Sequence, residues 1–183
     1  MQQRIRTKAS NAAYLSSILF RPASKRLMVT PLADALGATV REKNNNLVRF
    51  DGFLSCYEQL AKSINAGGDV VRALAYNIGT NYYLYNPGSK VSDKAANALV
   101  NQLASAMDNE AFRRASDSDK QKLYELSVIL GSYSLSLSGE AVSSGYTGRT
   151  EEARMLAGEG LRYLLKADPM KIMITDSGLA IAA

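Results

Sequence analysis

The stretch from Asp69 to Asn86 constrains the fold more than any other, because both ends of a helix and its buried face are written into it. Ala66-Gly67-Gly68 breaks the chain ahead of it, Asp69 supplies an N-cap oxygen, and Asn86-Pro87-Gly88 ends it. Between these signals Val70, Val71, Leu74, Ile78, Tyr82 and Tyr85 fall within about a third of the circumference at ~100° per residue. A helix with such a face must be covered by others, so a bundle is the natural architecture.

Other segments repeat the pattern. Thr30-Pro31 opens a predicted helix over Leu32–Val40, with Thr as cap and Pro in the first turn. Asn44-Asn45-Asn46 reads as a loop, and Asp51 as the cap of a helix whose buried face carries Phe53, Leu54, Tyr57, Leu60, Ala61 and Ile64. Ser92 caps a helix with Ala95, Leu99, Leu103 and Met107 on one face, and a short helical turn follows at Asn109–Arg114. Ser118-Asp119-Lys120-Gln121 has the form of a capping box opening the most apolar helix, from Asp119 to near Ser138. Its end, Ser132–Ser138, alternates with period two, but helix is favoured because a lone strand would lack a partner. Ser143–Gly148 is a loop, Thr150 begins a last long helix, and Asp168-Pro169 stops it. The apolar end, Ile172–Ala183, has a turn at Asp176-Ser177-Gly178 and folds back on the body. The expectation is an all-α fold: a single irregular bundle of about six helices over residues 31–183, with a basic N-terminal extension at 1–30.

Composition limits the chemistry. The 183 residues include no histidine, no tryptophan and one cysteine, Cys56. Without histidine the usual Ser–His and Cys–His dyads and most zinc and iron sites are excluded. The lone thiol has no partner for an internal disulfide, and within Phe53-Leu54-Ser55-Cys56-Tyr57 it reads as a small buried side chain. The net charge of +5 is unevenly spread. Residues 1–50 carry nine Lys and Arg against Asp34 and Glu42, a net of +7, which leaves −2 for the remainder. Residues 4–49 therefore suit an anionic surface or nucleic acid as an alternative partner, although no nucleic-acid motif accompanies them. No run approaches the ~20 apolar residues of a membrane span. The basic start followed by Ala12–Phe20 imitates a signal peptide only faintly, since Asn11, Ser16 and Ser17 dilute it and Arg21, Lys25 and Arg26 follow.

Tyrosine gives the best lead. Four of the ten lie within Tyr76–Tyr85. Tyr82 and Tyr85 share the apolar face, whereas Tyr76 and Tyr83 project elsewhere, seven residues apart, with Gly79 between them and Arg72 one turn earlier. Two rings flanking a residue without a side chain form a notch for a partner, unless another helix of the same domain fills it. Tyr76, Tyr83 and Arg72, with Arg21, Lys25 and Arg26 of the leader, are the candidate partner-binding residues. Paired carboxylates are the basis of a further alternative, a histidine-free hydrolase, with Glu140, Glu151, Glu152 and Glu159 as candidates. Helix-dipole placement accounts for Glu151 and Glu152 without catalysis. Glu125, between Tyr124 and Leu126, is read as a surface or helix-pairing residue before a buried acid. No catalytic residue, metal ligand or cofactor is assigned. Ala66-Gly67-Gly68-Asp69 lacks the Lys-Ser/Thr of a P-loop, and Asp117 and Asp119 lack the rest of a calcium loop.

Three pieces of the chain together resemble a family of uncharacterised bacterial helical proteins, many of them exported. They are Asp69-Val70-Val71-Arg72-Ala73-Leu74-Ala75-Tyr76 leading to Asn81-Tyr82-Tyr83-Leu84-Tyr85, Lys120-Gln121-Lys122-Leu123-Tyr124-Glu125, and Asp168-Pro169 with Ile174-Thr175-Asp176-Ser177-Gly178-Leu179. The resemblance spans residues 69–179. It implies an all-helical fold and a periplasmic or secreted setting, with a cytoplasmic one as alternative, and it implies no activity. The functional expectation is a non-enzymatic protein that docks a protein partner or a multi-subunit assembly.

Overall fold

A computed structural model describes residues 18–144 and 147–182. Within them the fold is predominantly all-α: α1 (Val29–Leu36), α2 (Val40–Ser63), α3 (Val70–Tyr85), α4 (Asp93–Met107), α5 (Glu110–Arg114), α6 (Asp117–Ser144) and α7 (Thr147–Leu165). A 3₁₀ turn at Pro169–Lys171 then leads into a hairpin of β1 (Ile172–Thr175) and β2 (Gly178–Ile181), antiparallel, with Thr175 opposite Gly178. The anticipated turn at Asp176-Ser177 connects these strands, and Gly178 closes it at φ 106°, a left-handed conformation that favours glycine.

The central element is α3, which packs on α4, α6 and α7. Asp69 caps it as expected, accepting from the Arg72 amide at 3.0 Å. Two clusters form the interior. Phe50, Leu54, Val70, Ala73, Tyr124, Val128 and Ile129 join α2, α3 and α6, while Ala75, Ile78, Tyr82, Leu99, Leu161, Ile172 and Ile174 join α3, α4, α7 and the hairpin. Phe50 and Leu54 are 0% exposed. Truncating such a residue costs about 3–5 kcal/mol, since the cavity left behind collapses only in part.

Several boundaries differ from the expectation. The Asn44–Asn46 loop is helix: Thr39 and Glu42 form a capping box that starts α2 eleven residues before Asp51. Asn46 is buried there, so tertiary packing overrides a weak helix propensity. Helix α1 begins at Val29, placing Thr30 and Pro31 in its first turn, and it ends before Gly37. Ser116, not Ser118, caps α6 by accepting from the Asp119 amide at 3.1 Å. That frees Gln121 for a buried role. The period-two Ser132–Ser138 run is helical, as favoured. The loop expected at 143–148 is helical at 143–144 and 147–148, and Gly145 and Tyr146 lie outside the described residues. Helix α7 ends at Leu165, where Lys166 turns left-handed at φ 52°, before Asp168 is reached.

Of the expected N-terminal extension, residues 1–17 lie outside the described part. From Ile18 onward the chain is a strap fastened to the body. Ile18 is buried beside Val71 and Ala104, and Leu19 bridges to Asp69. Glu125 holds the strap: Leu27 and Met28 donate their amides to its Oε2 at 2.7 and 2.8 Å, and Gln121 Nε2 donates to its Oε1 at 2.7 Å. Gln121 Oε1 in turn accepts from the Ala23 amide at 2.7 Å. Glu125 is 1% exposed, so the surface or pairing role expected for it is replaced by that of a buried acceptor. An unpaired acid there would be costly, and three donors offset the burial.

Candidate functional site

Helices α2 and α4 stand on either side of α3 and leave its outer face uncovered between them. The resulting groove has a volume of about 340 Å³, with Arg72, Tyr76 and Gly79 on its floor. Tyr57, Leu60 and Ile64 of α2 and Val91, Leu99 and Val100 complete the lining. The notch read from the sequence is thus present and open. A Cβ built on Gly79 would meet nothing within 4 Å, so no helix of the described chain fills it. The close helix approaches occur elsewhere, at Gly131 and Gly158.

The structure sorts the predicted contacts. Arg72 is partly exposed, with its Nε 3.4 Å from Asp69 Oδ2. Tyr76 is half-buried: its ring lies 5.1 Å from that of Tyr57, and its hydroxyl is 3.1 Å from Ser132 Oγ. Tyr83 is 50% exposed, on the same stripe one turn beyond Gly79, and lies outside the groove lining. Arg21 and Lys25 are exposed on the strap. Arg26 is committed to the fold, with Nη1 and Nη2 donating to the two oxygens of Glu58 at 2.5 and 3.0 Å and Nε 3.4 Å from Asp51. Such a bidentate pair holds α2 to the strap. Lys43 pairs with Asp34 and Arg49 with Glu140, so part of the N-terminal positive charge is neutralised within the molecule.

Sequence reasoning missed the α2 wall. Leu60 and Ile64 were expected on the buried face, yet they are 62% and 59% exposed. The apolar stripe of α2 is wider than its core contact: Leu54 and Ala61 face inward, and the remainder lines the groove. A stripe too broad for one buried face is the signal that would have found it. Cys56, expected to be buried, is exposed. It sits two residues from inward-facing Leu54, on the far side of the helix. With Phe53, Tyr57, Leu60, Tyr76 and Leu135 it lines a second apolar hollow of about 260 Å³, which shares Tyr57, Leu60 and Tyr76 with the first. The two form one continuous apolar track.

On the other side of α2 lies a cavity of about 330 Å³ under the strap, lined by Phe20, Pro22, Arg26, Glu58, Lys62, Gly67, Gly68, Gln121, Tyr124 and Glu125. Aromatic contacts link it to the groove: Phe20 to Tyr124 at 5.2 Å, Tyr124 to Tyr57 at 5.8 Å, and Tyr57 to Tyr76 at 5.1 Å. Burial holds the Tyr57 and Tyr124 hydroxyls well above the usual phenol range, so both stay protonated.

Of the carboxylates proposed for hydrolysis, Glu140, Glu151 and Glu159 are held in ion pairs. Glu151 pairs with Arg154, whose guanidinium holds its carboxyl below the usual range, and Glu159 pairs with Arg162. Glu140 and Glu152 both line a polar cleft of about 700 Å³, together with Glu42, Asn45, Asn46 and Arg49. There Glu140 is bound to Arg49, and Glu42 to the capping box. Both are exposed, whereas a general acid needs a desolvated carboxyl. Among the described residues no three His, Cys, Asp or Glu gather as a metal site, and no helix is long and apolar enough to cross a membrane.

No curated protein and no solved structure matches the chain. A match over residues 1–182, wider than the 69–179 stretch on which the sequence resemblance rests, shows that the chain belongs to the family of unknown function DUF6683.

Proposed function

We propose that this chain is a non-enzymatic interaction protein that docks a partner helix in the groove over Arg72, Tyr76 and Gly79. The observation that carries this reading is the open space above Gly79 between two apolar walls. Half-exposed Leu60 and Ile64 stay partly in water until something covers them. The floor residues recur at helical spacing and the walls are themselves helices, which is the relief that a packed amphipathic helix fills. Arg72 at the floor favours a carboxylate on the incoming segment, and Tyr83 at the end of the stripe adds an amphipathic contact. An exported setting, as the family resemblance implies, belongs to the same proposal, and fractionation of the native host tests it.

The experiment is affinity capture from the native host with wild-type, Gly79→Leu and Tyr83→Ala baits, followed by mass spectrometry. Gly79→Leu fills the notch and should abolish capture of the wild-type partner. It should also hold or raise the melting temperature, because leucine exceeds glycine in helix propensity by about 1 kcal/mol. Tyr83→Ala should weaken capture with little change in stability. Equal capture by Gly79→Leu would overturn the reading, as would binding that collapses with added salt in the manner of phosphate-backbone contacts.

A further inference from the structure

The groove over Arg72, Tyr76 and Gly79 begins where the strap meets α3. Ile18 is 4% exposed, packed on Val71 and Ala104 with Val100 beside it. Val100 also lines the groove, and Val71 directly precedes Arg72 of its floor, so Ile18 sits at one end of it. The bridge beside Ile18 gives the chain's direction. Leu19 pairs antiparallel with Asp69, and the Phe20 carbonyl oxygen lies 3.7 Å from where a Cβ on Gly68 would stand. Followed backwards from Phe20 through Leu19 to Ile18, the strap therefore advances from Gly68 to Val71, in the sense in which α3 runs on to Tyr76 and Gly79. Ile18 itself has helical backbone.

We propose that residues 9–17 of this chain occupy the groove in cis, as a helix antiparallel to α3, and that a partner gains the groove by displacing them. The second clause rests on the reading of the groove as a docking surface. The segment fits in chemistry and in length. Residues 9–17 carry no charge, and Leu15 and Tyr14, three and four positions before Ile18, share its buried face at helical spacing. Nine helical residues span about 13 Å, against about 12 Å along α3 from Val71 to Gly79. Arg4, Arg6 and Lys8 then fall beyond Gly79, towards the carbonyl end of α3, where cations are favoured. Joined to the end of the groove by the chain itself, the segment competes at an effective concentration of about millimolar or more, which excludes weak partners. Residues 1–17 contain no Asp or Glu, so a partner with a carboxylate gains a contact to Arg72 that the segment cannot make.

The test follows amide hydrogen exchange in the isotope-labelled full chain by NMR, with no partner present. In the wild type the amides of Ala13, Tyr14, Leu15 and Ser16 should exchange about tenfold or more slowly than in an unstructured chain. Gly79→Leu on the floor and Leu60→Asp on the wall should each speed them by about tenfold. Leu60 is 62% exposed, so its replacement opens no core. Val48→Asp, at a 77% exposed position of α2 outside the groove, should leave them unchanged. Free exchange in the wild type would leave the groove to a partner in trans or a second copy and overturn the proposal. Protection that survives both groove variants would put the segment elsewhere and overturn it equally. In the capture experiment, Leu15→Asp should retain about fivefold more partner than wild type, because the competent state is no longer masked. Retention no greater than wild type overturns the displacement. Equal capture by wild type and Gly79→Leu, which sinks the partner reading, leaves the exchange result to decide cis occupancy by itself.

Discussion

Glu125 shows how a single residue sets the path of the chain just before α1. Its two oxygens take three N–H donors, two of them amides of the strap ninety-seven and ninety-eight positions away. In Glu125→Gln one end of the side chain becomes a donor facing Gln121 Nε2. Relief would require Gln121 to turn over, breaking its links to Ala23 and to the Lys25 carbonyl. The expected loss is about 2–4 kcal/mol in urea unfolding, with faster amide exchange at Ala23, Leu27 and Met28. Unchanged exchange at these amides would show that the strap is held by Ile18 and Arg26 instead.

At the level of elements, the approach of α3 to α6 depends on Gly131. A Cβ there would stand 3.1 Å from Asn77 Cα and 3.1 Å from the Tyr76 ring, so neither helix can give without moving. Gly131→Ala should destabilise by about 1–3 kcal/mol through overpacking. Gly139, eight residues on in the same helix, has nothing within 4 Å, and Gly139→Ala should stabilise by about 0.5–1 kcal/mol. Opposite shifts in denaturation midpoint are the check. The same comparison explains what was legible. Side chains that act locally could be read: the Asp69 and Ser92 caps, the short helix after Asn109 and the face of α3 all lie where expected. Asn44–Asn46 and Gln121 could not, because their roles depend on partners far along the chain.

For the molecule as a whole, acid titration sets two kinds of carboxylate against each other. Hydrogen bonds from Ser116, Arg154 and Ser92 hold Asp119, Glu151 and Asp176 below their ordinary values. What they contribute is present above the unfolded value and lost as pH falls through the native one. Asp69 runs the other way: burial raises it above the ordinary 3.8, against the pull of the Arg72 amide and guanidinium. The native state then binds the proton more tightly than the unfolded chain, so its contribution declines as pH rises from about 4 through the native value. Asn retains the capping oxygen, which makes Asp69→Asn the clean comparison. Wild-type stability minus that of the variant should fall across this window and be flat above it. A difference that grows with pH would mean that Arg72 outweighs burial.

Helix-period hydrophobicity, caps and breakers determined by themselves that the chain is an all-α bundle, because these interactions reach no further than four residues. The notch at Arg72, Tyr76 and Gly79 was likewise visible as spacing on one helix. Whether it would be filled or left open, that Leu60 and Ile64 would wall it, and that Arg26 would be spent on Glu58 were decided only when α2, α4 and the strap took their places around α3. Burial is a property of neighbours. A helix specifies the face it offers, and the packing of the other helices determines how much of that face is covered.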